Sequence, residues 1–371
     1  MKFSISTSFY RRSHLVEKLY QQILDQTHTD WEWIVTDDFS DYNNSKDLLL
    51  EICAKDPRVK YYEQSRKREC FYNPQRGSTG DIVIQFDSDD YAYPRILEIY
   101  NHLFLKHPDV AGISCLSLNA DANDNFIEIQ GGGHYDFEET STFNYTPMGR
   151  AWRNIIDSFD NGELKWYQND TNIVRHVETK GKWLYIPRTL YKYLYSIDTF
   201  SRETGRTDEQ YTEIEAERLF IESKFPYLNN PDKLTSSLYY LPIKSQARDF
   251  AMGEFNLAKT RQSILYVKKD IKVYERQLLK ELFFDHDLYF ENDLNTKYDE
   301  IIINLNLETF KHLDSIIDEL RKTNTGTHIK LKLDKRDVVS ESSVHEVLTP
   351  KFIGGYGWCH SGYETYFITA L

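Results

Sequence analysis

The stretch DIVIQFDSDDYAYP, residues 81–94, carries strand-forming residues directly into a cluster of aspartates and then a proline. Residues 81–86 have the composition of a strand, and Pro94 stands where the first turn of a helix accepts proline. Between these elements three aspartates fall within four positions, namely Asp87, Asp89 and Asp90. Like charges this close repel one another unless a cation lies among them. The stretch therefore predicts a strand, a charged loop and a helix, in that order.

Strands and helices also alternate on the amino-terminal side of this stretch. Residues 2–10 alternate like a strand, and further strands are predicted at 31–41 and 58–64, with a helix at about 44–54 between them. A chain with this alternation forms a mainly parallel sheet with helices on both faces. The sequence therefore predicts an α/β fold.

Two helices of this region have an apolar face that should pack against the sheet. The first follows residues 2–10 with Ser13 at its N-cap, and the second begins near Pro94. The face of the first helix comprises Leu15, Val16, Leu19, Ile23 and Leu24. The face of the second comprises Ile96, Leu97, Ile99, Tyr100, Leu103 and Phe104.

Aspartates end two of the predicted strands. Asp37 and Asp38 close the second strand, while Asp87 and Asp89 follow the fourth. Ligands of parallel sheets bind beyond the carboxyl ends of the strands, and carboxylate oxygens suit Mg²⁺ or Mn²⁺. Each aspartate alone is also typical of a turn or an N-cap. Two clusters at one edge favour a divalent cation that carries phosphate groups, with the Asp87-Ser88-Asp89 segment as its protein ligand.

Four segments resemble family 2 glycosyltransferases of the GT-A fold. They occur in the family's order over residues 1 to about 205, as DQTHTDWEWIVTDDFSD (25–41), GDIVIQFDSDD (80–90), MGRAWRNIIDSF (148–159) and NDTNIVRHVETKGKWLYIPRTLYKY (169–193). The third resembles the segment that lines the acceptor side of the family's site. The resemblance implies a GT-A nucleotide-diphospho-sugar transferase fold, with a mainly parallel sheet flanked by helices.

The resemblance also implies roles for single residues in binding the donor and a metal ion. For the nucleotide it implies Thr7, Ser8, Phe9 and Tyr10 at the first strand end, Asp37 and Asp38, Arg68, Asp87 and Ser88. For a bound Mn²⁺ or Mg²⁺ it implies Asp87 and Asp89, with Asp89 bridging to the diphosphate. The donor would be a UDP-, GDP- or dTDP-sugar, and the acceptor a carbohydrate.

Asp170 lies where the family places its catalytic base. An acceptor hydroxyl has a pKa far above neutrality, so a carboxylate must take its proton as the oxygen attacks the anomeric carbon. Attack opposite the leaving diphosphate inverts the configuration of that carbon. Asp170 also fits the N-cap of a helix at 171–179, which is the competing interpretation.

Two positions depart from the family pattern. Ser196 follows Leu194 and Tyr195 where many relatives have arginine and histidine, so the third protein ligand of the metal is open, with Asp198 as a candidate. Asn169 replaces the acidic residue that usually precedes the base.

Aromatic residues near the expected acceptor groove are candidates for stacking on sugar rings. They are Trp152, Trp166 and Tyr167. An aromatic face packs on the apolar face of a sugar while polar groups bind its hydroxyls. Core packing is the competing interpretation for the tryptophans.

The last third of the chain has its own alternation of strands and helices. We predict a glycosyltransferase domain at 1–205, a helical linker at 206–262 and a smaller α/β Rossmann-like domain at 263–371. Residues 298–322 resemble the middle strand and helix of class I methyltransferases. The expected glycine-rich turn is replaced by VKKDIKV (267–273), which favours a degenerate domain used in packing, dimerisation or acceptor presentation.

Composition excludes some partners and compartments. The chain has 371 residues with 45 basic and 58 acidic ones, and its net charge of −13 argues against a nucleic-acid partner. The four cysteines are scattered without metal-ligand spacing. With no signal-like start and no apolar run of bilayer length, we expect a cytoplasmic protein without a transmembrane segment, and a homo-oligomer is possible.

The residues leave three functions open. The leading one is a metal-dependent, inverting glycosyltransferase. The second is a catalytically silent protein that binds sugar nucleotides or serves in assembly, which the changes at Asn169 and Ser196 would suit. The third, disfavoured by the missing glycines, is a methyltransferase that uses S-adenosylmethionine (SAM) through the C-terminal domain.

Overall fold

The structure of the protein is a computed structural model that divides the chain into two units. The units are Met1–Tyr239 and Tyr240–Leu371, so the division falls inside the predicted linker. The residues described are 1–9, 12–37, 45–63, 77–121, 126–130, 149–154, 177, 180–195, 238–239, 261–269, 271–290, 294–334, 340–348, 357–361 and 364–370.

The N-terminal unit contains a ten-stranded sheet in its described residues. The strands are β1 Phe3–Phe9, β2 Trp31–Asp37, β3 Val59–Glu63, β4 Ile82–Gln85, β5 Tyr91–Ala92, β6 Val110–Asp121, β7 Phe126–Gln130, β8 Ala151–Arg153, β9 Lys182–Tyr195 and β10 Leu238–Tyr239. The helices described are α1 Val16–Leu24, α2 Ser45–Lys55 and α3 Ile96–Lys106, with a 3₁₀ turn Ser13–Leu15 before α1.

The sheet is mainly parallel. Its order is β10-β9-β6-β8-β4-β1-β2-β3, with β5 paired to β9 and β7 paired to β6. Along this order β8 runs antiparallel to both its neighbours, and the other neighbouring strands are parallel. Every residue of β2 and β4 is buried. Since successive side chains of a strand point to opposite faces, both faces of the sheet are covered there. The predicted α/β fold with a mainly parallel sheet is confirmed for this unit.

Helix α3 has the face that the sequence predicts. Its buried residues are Ile96, Leu97, Ile99, Tyr100, Leu103 and Phe104. Their spacing follows the helical repeat, so one side of the helix supplies the whole buried face.

Helix α1 differs from the prediction at its start and on one side. Ser13 lies inside the 3₁₀ turn, and the N-cap position before it is Arg12, so the predicted Ser13 N-cap is wrong. Val16, Leu19 and Ile23 are buried as predicted, whereas Leu24 is 41% exposed.

The polar residue Gln22 belongs to the buried side of α1, which the sequence did not predict. Its side chain donates to the carbonyl oxygen of Asp90 at 3.2 Å and accepts from the backbone N–H of Ala92 at 2.9 Å. A buried polar group is stable where it is hydrogen-bonded in this way. The amide therefore joins α1 to the loop after β4.

Trp152 packs in the core of the sheet and is not exposed at all. It belongs to a buried cluster with Val83, Ala111, Val177 and Trp183. Its strand β8 lies between β4 and β6, so its side chains enter the interior. The prediction that Trp152 stacks on an acceptor is therefore corrected, and core packing is its role.

Gly112 allows the indole ring of Trp183 to lie against β6. A Cβ atom at position 112 would overlap that ring, which is held by a 2.9 Å hydrogen bond from its Nε1 to Ser114 Oγ. We expect Gly112→Ala to lower the free energy of unfolding of the unit by about 1–3 kcal/mol, because overpacking displaces the ring of Trp183. Urea unfolding followed by tryptophan fluorescence measures this, and a Trp183→Leu background should remove most of the effect. An unchanged unfolding midpoint for Gly112→Ala would contradict the packing described.

The C-terminal unit has a separate six-stranded sheet in its described residues. Its strands are β11 Ser263–Val267, β12 Asp287–Phe290, β13 Glu300–Asn304, β14 His328–Asp334, β15 Gly357–Ser361 and β16 Glu364–Ala370. Its helices are α4 Val273–Leu282, α5 Leu307–Lys311, α6 Leu313–Asn324 and α7 Glu341–Leu348. The order is β12-β11-β13-β14-β16-β15, in which β16 is antiparallel to both neighbours and the other pairs are parallel.

The glycine-free loop after β11 is tied to the start of α5. Lys269 N–H donates to Thr309 Oγ1 at 3.1 Å, and Asn306 Nδ2 donates to the carbonyl oxygen of Lys269 at 3.1 Å. Asn306 also caps α5, because its Oδ1 accepts from Thr309 N–H at 2.8 Å. These bonds fix the loop at the carboxyl ends of β11 and β13.

In the part of the chain that the structure describes, no helix is both long enough and apolar enough to cross a bilayer.

Candidate active site

The candidate site lies at the carboxyl ends of β2, β1 and β4, which are neighbours in that order. Phe9 pairs with Asp37 across β1 and β2, and Ser6 pairs with Gln85 across β1 and β4. Continuing the second register places Asp87 level with Ser8. Since neighbouring strands are about 4.8 Å apart, the backbones of Asp37 and Asp87 are separated by roughly 10 Å, with β1 between them.

The end of β1 offers one partly exposed side chain to this edge. Thr7 and Phe9 are fully buried, and Thr7 Oγ1 accepts a 3.0 Å hydrogen bond from Trp33 Nε1. Ser8 between them is half-buried. Of the residues predicted to bind the nucleotide here, Thr7 and Phe9 have only backbone groups to offer.

Asp37 is buried and bonded on the side of β3, away from β4. It is 2% exposed, and its Oδ2 accepts from the hydroxyl of Tyr61 at 3.0 Å. Burial raises the pKa of Tyr61, and the Asp37 carboxylate raises it further. Within the described ranges no three Asp, Glu, His or Cys side chains lie close enough to hold one metal ion. The expectation that both aspartate clusters share a cation is therefore corrected for Asp37, which lies on the far side of β1.

Asp87 is held by contacts to its backbone and its side chain. Its N–H donates to the hydroxyl of Tyr191 at 3.0 Å, and its Oδ1 accepts from Gln85 Nε2 at 3.1 Å. Gln85 Oε1 in turn accepts from Arg150 Nη2 at 3.0 Å. Arg150 is 3% exposed and Gln85 is 8% exposed. This chain of hydrogen bonds joins a buried guanidinium to the carboxylate and fixes the direction of Asp87.

Asp89 forms an ion pair with Arg12. The Arg12 side chain is 13% exposed and the Asp89 side chain is 19% exposed. Arg12 follows the end of β1, so this pair joins two neighbouring strand ends at the site. Because both groups have lost most of their water, the pair is held more firmly than an ion pair on an open surface.

Asp90 is the inner carboxyl group of the loop. It is 5% exposed, and its Oδ1 accepts from Leu194 N–H at 3.1 Å. Burial raises the pKa of Asp90 well above its usual range, and the charges of Asp87 and Asp89 act in the same direction. Burial and the neighbouring negative charges therefore favour the protonated form of the Asp90 carboxyl group.

The partners of the acidic loop were not assigned roles from the sequence. They are Arg12, Gln22, Gln85, Arg150 and Tyr191. A polar residue in the otherwise apolar β4 is a signal for Gln85, and a basic pair directly after the first strand is a signal for Arg12. Tyr191 lies inside the L-Y-x-Y motif, whose register with β5 brings Tyr191 opposite Ala92.

Several predicted site residues lie outside the described residues. They are Tyr10, Asp38, Arg68, Trp166, Tyr167, Asp170 and Asp198. Their roles stay predictions.

The loop fits a divalent cation held by two protein carboxylates. Asp87 and Asp89 supply hard oxygen donors and are both partly exposed, and Mg²⁺ commonly takes one or two carboxylates and fills its other positions with water and phosphate oxygens. The donor set therefore suits Mg²⁺ or Mn²⁺ that also binds a phosphorylated ligand.

Residues 4–170 match the family model described as glycosyl transferase family 2. A curated relative, the uncharacterized glycosyltransferase alr2836 of Nostoc sp. strain PCC 7120, is 28% identical over 155 residues. This match covers 41% of the present chain and 48% of the relative, so the chain spans about half the length of that protein.

Two solved structures are similar at low sequence identity. One is S. aureus TarS 1–349 in complex with UDP-GlcNAc, with a TM-score of 0.47 and 12% identity over 77% of this chain and 80% of that one. The other is the mannosyltransferase PcManGT from Pyrobaculum calidifontis in complex with GDP-Man and Mn²⁺, with a TM-score of 0.40 and 12% identity over 75% and 78% of the two chains.

Proposed function

Because residues 4–170 match the family model described as glycosyl transferase family 2, we propose that the chain transfers a sugar from a nucleotide-diphosphate donor to a hydroxyl acceptor, with inversion at the anomeric carbon and with Mg²⁺ or Mn²⁺ as cofactor. One observation carries the proposal. The Asp87-Ser88-Asp89 segment follows the buried central strand β4 and lies at the carboxyl edge of a mainly parallel sheet, beside the end of β1. Ligands of such sheets bind at this edge.

Asp87 and Asp89 would hold the cation, with Gln85, Arg150 and Tyr191 keeping Asp87 in position. A bound divalent cation supplies a Lewis acid that stabilises the negative charge developing on the leaving diphosphate. The nucleoside would lie across the end of β1, where Ser8 and backbone groups are available. Asp38 and Arg68 are the further candidates for this contact.

Asp170 is the proposed base. Its carboxylate takes the proton of the acceptor hydroxyl while that oxygen forms a bond to the anomeric carbon. The bond from the anomeric carbon to the diphosphate breaks, and the nucleoside diphosphate leaves with the bonding electrons. Because attack and departure occur on opposite faces, the configuration inverts. Trp166 and Tyr167 are the remaining candidates for stacking on a carbohydrate acceptor.

A methyltransferase activity of the C-terminal unit is the less favoured alternative. The loop after β11 lacks glycine and is fixed to α5 by Asn306 and Thr309. In cofactor-binding domains of this kind a glycine-rich turn lets the backbone approach the cofactor closely.

Donor hydrolysis by the full chain tests the proposal. The protein is incubated with UDP-, GDP- and dTDP-sugars, with Mn²⁺ or with EDTA, and release of nucleoside diphosphate is measured. An active transferase should hydrolyse at least one donor slowly, and EDTA should abolish the release. Binding of donors without any turnover would overturn the proposal in favour of a silent binding protein, and methyl transfer from SAM without donor turnover would favour the methyltransferase.

A further inference from the structure

We propose that Arg12 is a built-in counter-ion of the donor site, and that a divalent cation binds Asp89 only by displacing the Arg12 guanidinium. The inference rests on the proposed function, because it concerns the cation site of that reaction. It adds Arg12 to the candidate site, with the role of controlling when the cation binds.

The Arg12–Asp89 pair occupies the carboxylate that the cation would need. The two side chains are 13% and 19% exposed, so water screens them poorly. Arg12 therefore brings a full positive charge to the aspartate that is proposed to bridge to the diphosphate.

Both partners of the pair are fixed by their own backbones. The carbonyl oxygen of Arg12 accepts from Leu15 N–H at 2.8 Å, which anchors Arg12 at the start of the 3₁₀ turn. Asp90, next to Asp89, donates its N–H to the carbonyl oxygen of Asp87 at 3.3 Å and closes the loop. The pair therefore joins two ordered segments.

A second set of contacts holds the same two segments together. Gln22 of α1 bonds the backbone of Asp90 and Ala92, as described above. Gln26, two residues after the end of α1, donates from its Nε2 to the carbonyl oxygen of Tyr93 at 3.3 Å. Because only the 3₁₀ turn Ser13–Leu15 separates Arg12 from α1, these contacts keep the backbone of Arg12 near Asp89. Displacement of the guanidinium then requires only a change of the Arg12 side chain.

A guanidinium and a divalent cation at one carboxylate repel each other, since like charges a few ångströms apart interact unfavourably. In the absence of a donor, the cation must therefore compete with Arg12, and its affinity should be low. A bound nucleoside diphosphate brings negative charge that offsets both cations. The cation should then bind much more tightly together with the diphosphate than alone.

The test measures Mn²⁺ binding by electron paramagnetic resonance on the full chain, with and without UDP or GDP. We expect Arg12→Met to bind Mn²⁺ at least about tenfold more tightly than the natural protein when no nucleotide is present, because the competing charge is gone. Arg12→Lys keeps the charge and should stay near the natural affinity. Arg95→Met is the matched control, because it removes a half-buried guanidinium paired with Glu98 elsewhere in the same unit, and it should leave the affinity unchanged.

The outcomes separate this inference from the function on which it rests. If Asp89→Asn removes Mn²⁺ binding but Arg12→Met binds Mn²⁺ no more tightly than the natural protein, the Arg12 inference fails and the cation site stands. If the natural protein and Arg12→Met both fail to bind Mn²⁺ with UDP and with GDP, the cation-dependent function is wrong. The Arg12 inference is then wrong as well, because it rests on that function. Circular dichroism confirms folding of each variant, and Arg12→Gln replaces Arg12→Met should the latter not fold.

Discussion

Glu32→Gln is expected to lower the free energy of unfolding of the N-terminal unit by about 2–3 kcal/mol, because hydrogen bonds to a charged group are worth about 1.5–3 kcal/mol each and both lysines stay partly hydrated when the carboxylate is removed. Glu32 is 2% exposed at the beginning of β2. Its carboxylate accepts from Lys2 Nζ at 2.7 Å, Lys60 Nζ at 2.8 Å, Ser4 Oγ at 2.6 Å and the backbone N–H of Thr79 at 2.6 Å. Glutamine keeps the shape but removes the charge, which leaves the lysine ammonium groups beside a group that no longer attracts them.

The Glu32 cluster also makes the stability of this unit depend on pH under acidic conditions. Burial alone would raise the pKa of Glu32, but the hydrogen bonds from Lys2, Lys60 and Ser4 together hold it well below its usual range. A carboxyl whose pKa is lower in the folded state stabilises the fold above its unfolded pKa, which is about 4.3, and this stabilisation is lost as the pH falls below that value.

Urea unfolding at several pH values measures both effects. Glu32→Gln should differ most from the natural protein at pH 7 and progressively less below about pH 4. Glu51→Gln is the matched control, because Glu51 forms an exposed pair with Lys55 at 3.7 Å, and it should change the stability by less than about 0.5 kcal/mol. Equal losses for the two variants would show that the Glu32 cluster is not a stabilising one.

Asp89→Asn is expected to lower donor turnover by about three orders of magnitude, since removal of charge stabilisation at a leaving diphosphate costs several kcal/mol in the transition state. The amide cannot serve as an anionic ligand, and it also loses the attraction to Arg12. The measurement is kcat/KM for release of nucleoside diphosphate with saturating Mn²⁺, on protein whose unfolding midpoint has been compared with that of the natural chain.

Asp47→Asn is the control for Asp89→Asn. Asp47 lies in the first turn of α2 and is exposed, so its charge should not matter for the reaction, and turnover should stay within about twofold. Retention of more than a tenth of the natural turnover by Asp89→Asn would remove Asp89 from the metal site, because no other role proposed for it depends on its charge during the reaction.

Local patterns in the sequence predict the elements of the fold well. The helical spacing of six apolar residues gives the buried face of α3, and the alternation of strands and helices gives the mainly parallel sheet. These features depend on neighbours within one or two turns, which the sequence displays directly. The sequence does not show which distant segments will be in contact. Gln22 is buried because it bonds the backbone of Asp90 and Ala92, which lie 68 and 70 residues away.

The candidate site shows the same limit. The aspartates after β4 could be found from their clustering, but the position of Asp37 depends on Tyr61 across a strand pair, and that of Trp152 depends on β8 being inserted between β4 and β6. The pairing of Arg12 with Asp89 joins residues 77 positions apart and has no local signature. Charge and polarity thus indicate which residues take part, whereas strand order decides which of them meet.

The ionic cluster and the candidate site occupy opposite ends of the same strands. Glu32 and Asp37 both lie on β2, and at about 3.3 Å per residue their positions are roughly 16 Å apart. Substitutions separated by more than about 10 Å without shared partners are usually additive. Substitutions in the Glu32 cluster should therefore raise or lower the stability of the N-terminal unit without changing the candidate site at the other end of β2.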